Sequence, residues 1–201
     1  MPINLIITGV GGQGNVLASQ IVGHAAVNKG LRITIGETFG LSQRGGPVSS
    51  HIRISHNRDY SPLVSPNKAD IILGLEPLET LRIIPEFGNQ NTTIIANSRA
   101  IYPLNVIAGD VDYPDTSIIK SFLDEFCGKV YWLEATGLAV ELGTPILMNT
   151  ILLGALCGIP DFPLQINDFQ YALKDFFPES KLNTNYEALR LGKGLVENYN
   201  N

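Results

Sequence analysis

The chain has 201 residues, enough for one domain with its own core, and 44% of them are hydrophobic while only 16% are charged. A globular protein usually carries about a quarter charged residues, so part of this surface is expected to lie under another chain. A net charge of −5 gives a phosphate backbone no attraction, which argues against nucleic acid as a ligand.

Taken in order, the chain opens on the apolar run Ile3–Ile7, which meets a glycine turn directly. No basic stretch or cleavage site precedes it, so it reads as a first strand and not as a signal peptide. Val16–Ala26 places Leu17, Gln20, Ile21, His24 and Ala25 at helical spacing. Leu31–Ile35 is the second strand, followed by a polar loop. Val48–Ser55 alternates, with Val48, Ser50, Ile52 and Ile54 on one face and Ser49, His51, Arg53 and Ser55 on the other; this predicts a half-exposed strand with His51 in solvent. Ala69–Leu75 is a buried strand, and Glu76-Pro77 starts a helix that Pro85 is expected to stop after Ile84. Thr92–Ala96 and Val130–Leu133 are further strands, with a helix over Ile118–Phe126 between them.

From Leu142 to Pro160 no residue is charged. Pro145, Asn149, Thr150 and the glycines make this poor material for a membrane span. It reads as a buried helix over Pro145–Cys157, capped by Thr144, with Pro145 in its first turn. Gly154 and Gly158 permit close backbone approach, either for packing inside the fold or for contact with a partner chain. Helices over Asn167–Phe176 and Asn185–Asn198 complete a helical C-terminal part. Strands alternating with helices predict an α/β fold: a doubly wound, mostly parallel sheet with a Rossmann-like first β-α unit.

Candidate chemistry concentrates in two loops. Gly9, Gly11 and Gly14 satisfy GxGxxG, with Gly12 and Gln13 between them, on a strand-to-helix turn that can aim backbone N–H groups at an anion. A tight turn with no ligand explains the same glycines. Glu37, beyond the second strand, stands where a dinucleotide fold wants a ribose acid, so a free-standing NAD(P)-binding dehydrogenase or a nucleotide-sensing scaffold fits this loop alone. The second loop, Ser42-Gln43-Arg44-Gly45-Gly46, joins a hydroxyl, an amide and a guanidinium to two flexible residues. Arg44 there can clamp a carboxylate or phosphate or be a plain surface arginine. His24, His51 and His56 have no metal-site spacing, and Asp110-x-Asp112 reads as a turn. Cys127 and Cys157 lie in apolar surroundings and form no CxxC pair; they cannot supply the ligands of a cluster or a closed zinc site and read as buried thiols in a reducing cytoplasm.

Together, Gly9–Ser19, Glu37–Gly46, Ser50–Ile54, Tyr60-Ser-Pro-Leu63, Ala69–Glu79 and Asn97-Ser-Arg99 resemble the γ-type subunit or domain of the 2-oxoacid:ferredoxin oxidoreductases. The Tyr-Ser-Pro-Leu and Leu-Glu-Pro-Leu-Glu segments are most similar to the β subunit of the indolepyruvate type. The resemblance implies one γ-type domain over 1–201 in a cytoplasmic heteromer. That enzyme oxidatively decarboxylates a 2-oxoacid, with CoA as co-substrate, and reduces ferredoxin. It further implies that thiamine diphosphate, Mg and [4Fe-4S] clusters reside on a partner α subunit, that this chain alone holds none of them and is inactive, and that ferredoxin is met through the complex. The two glycine loops would then form one anion-recognising edge near the active site or the CoA path.

Overall fold

Along the central strands successive side chains alternate between two apolar layers, which is what a sheet covered on both faces requires. Leu5, Ile7, Leu73 and Ile95 enter one core, whereas Ile6, Ile72 and Ile94 enter the other. The computed structural model describes residues 1–39, 46–102 and 104–199. In chain order the elements are β1 (Ile3–Val10), α1 (Asn15–Asn28), β2 (Arg32–Phe39), β3 (Pro47–Ser55), β4 (Ile71–Gly74), α2 (Pro77–Phe87), β5 (Thr93–Asn97), α3 (Leu104–Ile107), α4 (Thr116–Phe126), β6 (Lys129–Leu133), α5 (Ala135–Glu141), a 3₁₀ turn (Pro145–Leu147), α6 (Met148–Leu156), α7 (Ile166–Phe176) and α8 (Glu179–Tyr199).

Among the described residues the sheet has 6 strands, in the order β2-β3-β1-β4-β5-β6. β1, β4, β5 and β6 pair in parallel. β3 runs antiparallel to both β1 and β2, so β2 points the same way as β1. The expected α/β fold with a mostly parallel sheet is thus present, with a hairpin built into one side. The chain leaves β1 toward the β2 edge and returns to β4 on the other side, which opens a crevice at the carboxyl ends of β1 and β4. α1, α6, α7 and α8 contribute to the larger core, and α2 and α4 to the smaller one. Among the described residues no helix is long and apolar enough to cross a membrane.

The uncharged stretch packs as expected. Thr144 accepts from the Ile146 N–H and Pro145 opens a partly exposed 3₁₀ turn, so the helix itself starts at Met148; within it Ile151, Leu152, Leu153, Ala155 and Leu156 are all at 0% exposure. A Cβ added at Gly154 would lie 2.1 Å from the Leu189 carbonyl oxygen, and one at Gly192 1.8 Å from that of Ile151. α6 and α8 therefore meet backbone to backbone.

Two expectations need correction. α2 runs through Pro85 to Phe87. Pro85 lies exposed in the last turn, where the carbonyl it leaves without an intrahelical donor can face water. β3 is buried on both faces, and His51 is only 2% exposed. The segment after β3 folds back over its polar side: the Val64 N–H donates to His51 Nδ1 at 3.3 Å, and Arg53 Nη1 donates to the Ser61 and Leu63 carbonyls. His51 also meets Phe87 edge to face at 4.9 Å. Alternation reports which residues share a face; it does not report what a distant segment lays over that face.

Candidate functional site

Gly9 still belongs to β1, opposite Val48, and a Cβ there would come within 2.6 Å of Gln13 Oε1. The turn proper is Gly11–Gly14. Gly12 and Gly14 adopt φ of 98° and 85°, in the left-handed region that favours glycine. Gly14 caps α1 with no side-chain hydrogen bond, and the first turn of α1 carries no acidic residue. The helix therefore presents its uncapped, positive end at the crevice, which suits an anion.

Four side-chain amides hold this turn rigid. Gln13 folds back, accepting from the Val10 N–H at 2.8 Å through Oε1 and donating to the Leu75 carbonyl at 3.1 Å through Nε2. Asn97 Nδ2, from the end of β5, donates to the same Leu75 carbonyl at 3.2 Å and to Thr136 Oγ1 at 3.0 Å. Asn15 Nδ2 ties β1 to β3 by donating to the Ile7 and Val48 carbonyls at 3.1 and 2.9 Å. Asn149 Nδ2, on α6, donates to the Gln13 carbonyl at 2.7 Å. Gln13 is thus spent on holding the turn, and what the turn offers a ligand is backbone.

In front of it lies a cleft of about 340 Å³, within the usual range for small-ligand sites; Gly12, Gln13, Gly14, Asn97, Arg99 and Asn149 supply its polar wall. Ile101, Pro145, Ile146 and Met148 supply apolar surface. Arg99 forms no ion pair among the described residues. Asn149 Oδ1 is buried and has no hydrogen-bond partner among the described residues. The cleft can take an anionic group at the helix end and Arg99, with an apolar portion beside Ile101 and Met148.

The second loop reaches this edge at Gly46, whose carbonyl accepts from the Gly11 N–H at 2.9 Å. Ser42, Gln43, Arg44 and Gly45 lie outside the described residues. Glu37 sits on β2, with β3 between it and β1; it faces Ser50 in register and accepts from Ser19 Oγ at 3.2 Å. It does not line the cleft, so the ribose-acid role weighed from the sequence has no geometric support. In a dinucleotide-binding sheet the second strand lies beside the first, and here the hairpin displaces it.

Across the sheet, Glu76 is 1% exposed and accepts from the Glu79 N–H at 2.9 Å, capping α2, and from the Tyr113 hydroxyl. Burial, then the hydrogen bond to Glu76, raises the Tyr113 pKa and keeps its hydroxyl protonated. Burial also raises the carboxyl of Glu79 above its usual range, against the opposing pull of Arg82 at 2.6 Å.

The cysteines do not fit an iron–sulfur cluster. Cys127 belongs to the smaller core and Cys157 to the larger one, on opposite faces of the sheet. Burial pushes the first thiol up to about 11 and the second up to about 12, which disfavours the thiolate a metal needs. Among the described residues no three His, Cys, Asp or Glu side chains group to hold a metal ion.

The sequence profile described as pyruvate ferredoxin/flavodoxin oxidoreductase matches residues 4–195. The chain belongs to this family. Among its members, indolepyruvate oxidoreductase subunit IorB of Pyrococcus horikoshii is 37% identical over 190 residues, covering 94% of this chain and 93% of that protein. The subunit of the same name from Archaeoglobus fulgidus is 35% identical over 192 residues, covering 96% and 94%. Pyruvate synthase subunit PorC of Methanothermobacter thermautotrophicus is 29% identical over 199 residues, covering 97% and 96%. The fold also matches solved structures. Pyruvate oxidoreductase subunit PORC of Thermotoga maritima superposes with a TM-score of 0.70 at 19% identity, over 96% of each chain. The 2-oxoglutarate:ferredoxin oxidoreductase of Magnetococcus marinus does so with a TM-score of 0.75 at 21% identity, over 98% of this chain and 31% of that one.

In this oxidoreductase-family chain the glycine motif was legible, whereas Asn97, Arg99, Thr136 and Asn149 were not assigned to the site. Asn97-Ser-Arg99 was visible as part of the family pattern and, following a predicted strand, could have been placed at the same sheet edge. Thr136 and Asn149 carry no local signal, because only the folding of α5 and α6 across the carboxyl ends of the strands brings them to the turn.

Proposed function

We propose that this chain is the small subunit of a 2-oxoacid:ferredoxin oxidoreductase, of the type that acts on indolepyruvate. One observation carries the reading: the relatives at 35–37% identity over nearly their whole length are indolepyruvate oxidoreductase subunits, while pyruvate synthase subunits reach 29% and 26%. The reaction converts an arylpyruvate, CoA and oxidised ferredoxin into an arylacetyl-CoA, carbon dioxide and reduced ferredoxin. Thiamine diphosphate with Mg would supply the carbanion chemistry and [4Fe-4S] clusters the electron path; both belong to a partner α subunit in this reading.

This chain's own residues would recognise an anion at the edge of the active site. The backbone of Gly11, Gly12 and Gly14 and the open end of α1 would receive phosphate or carboxylate oxygens. Arg99 would add a charged hydrogen bond, and Arg44 with Ser42, Gln43, Gly45 and Gly46 is the second candidate set for the same anion. Gly9 and Gln13 would hold the turn in shape. Ile101, Pro145, Ile146 and Met148 would exclude water from the bound group. CoA, with its phosphates, is the co-substrate this arrangement suits.

The test is anaerobic co-expression with the large subunit of such an enzyme. Ferredoxin reduction should require indolepyruvate, CoA and both chains, and the purified small chain should be colourless and inactive. Robust ferredoxin reduction by the small chain alone would overturn the reading, as would micromolar NAD(P)H binding to it without any association with a large subunit.

A further inference from the structure

α4 carries two apolar faces where an ordinary surface helix carries one. Ile119 and Leu123 are at 0% exposure in the core, yet Ile118, Phe122 and Phe126, at helical spacing, are 53%, 44% and 51% exposed. The rings of Phe122 and Phe126 stack with centroids 6.3 Å apart and planes 9° from parallel. A stacked, solvent-facing aromatic pair in line with an isoleucine is a surface awaiting cover.

The N-terminal end of the stripe lies on the candidate-site side of the sheet. Ile101, on the wall of the cleft, precedes Tyr102, whose ring meets Tyr113 at 5.2 Å, and Tyr113 leads into Asp115, the cap of α4. Tyr102 is itself 56% exposed. An assembly interface usually needs on the order of 1,600 Å² in total, more than three side chains supply, and this path from the cleft to Phe126 supplies an extended surface. Its charge is acidic. Asp115 and Glu125 flank the stripe at helical spacing and Asp110 and Asp112 precede it, while Lys120 is tied to Asp124 at 2.6 Å. A second copy packed symmetrically here would bring like charges together around one apolar patch.

We infer that the Ile118–Phe122–Phe126 face of α4, with the surface running from it to the cleft, docks the large partner subunit through an apolar patch rimmed by Lys or Arg. This rests on the reading of the chain as a small subunit. The geometry suits it: chemistry held on another chain must reach the cleft, and a partner seated along α4 extends past Asp115 to the Tyr113–Tyr102 side of the cleft.

The wild-type complex, formed by co-expression with the large subunit, is probed by hydroxyl-radical labelling. Labelling of Phe122 and Phe126 should fall several-fold in the complex relative to the free chain, while that of Tyr171, exposed on α7, stays the same. Equal labelling of the phenylalanines in both states overturns the assignment. Phe122→Asp combined with Phe126→Asp should weaken association at least about thirty-fold, against no change for Tyr171→Asp, with the circular dichroism of each free chain preserved. Glu125→Lys should weaken it more than Glu125→Gln; an unchanged or tighter complex with Glu125→Lys overturns the basic-rimmed partner. If the wild-type chain binds no large subunit, the small-subunit reading fails with the proposal. If it binds while the double variant binds equally well, only the docking face is wrong. Dimerisation of the free chain through Phe122 would overturn the choice of occupant.

Discussion

The Gly11 N–H donates to the Gly46 carbonyl at 2.9 Å, so two loops separated by a helix and a strand share one edge of the sheet. Gly12 and Gly14 beside that bond have different surroundings. A Cβ at Gly12 meets nothing within 4 Å among the described residues, whereas one at Gly14 lies 2.6 Å from Asn149 Nδ2. Gly12→Ala should cost about 1–2 kcal/mol for its left-handed backbone. Gly14→Ala should cost more, because it also displaces the Asn149 bond. Denaturant unfolding of both variants checks the order; equal losses would contradict it.

Arg99 is exposed and free of ion pairs among the described residues, so its removal should leave the fold alone. Arg99→Ala is expected to raise the KM for CoA about ten-fold in the assembled enzyme, in line with a lost charged hydrogen bond, with Tm unchanged. An unaltered KM would remove Arg99 from the anion site.

At the α6–α8 contact the obstructing atoms are backbone carbonyls and cannot swing aside. Gly192→Ala, with its Cβ 1.8 Å from the Ile151 oxygen, should cost about 3 kcal/mol or more. Gly194→Ala, with nothing within 4 Å among the described residues, should be neutral or slightly stabilising, since alanine is the better helix former. Thermal unfolding of the pair separates close packing from helix propensity.

Burial lowers the pKa of His51 below 6.5, with the Glu86 charge pulling the other way. The unfolded chain therefore binds the proton more readily than the folded one. The stability this histidine contributes is fully present above pH 6.5 and is lost as pH falls through the folded value. His51→Gln should flatten the fall of the unfolding free energy below pH 6.5. An unchanged slope would show that other groups set it.

The element types were legible because each is written in local order. The apolar runs of β1 and β4 and the uncharged α6 announce burial, and Gly-x-Gly-x-x-Gly between Ile7 and Val16 announces a strand-to-helix turn. The second loop, Glu37–Gly46, announced the family. Alternation in β3 marked two faces but suggested that His51 was exposed, since the cover supplied by Val64 and Phe87 comes from elsewhere in the chain. Pro85 likewise looked like a stop, but in an exposed last turn its missing bond costs little.

By itself the sequence determined which segments must be buried, where the backbone must turn on glycine, and which family shares those constraints; these follow from side-chain periodicity and backbone sterics between near neighbours. Only the tertiary structure decided that a hairpin separates β2 from β1 and removes Glu37 from the cleft, that Asn97 and Asn149 lock the glycine turn, and that α4 bares a second apolar face. Each depends on contacts between residues far apart in the chain, whose geometry is set by how the layers close on the sheet.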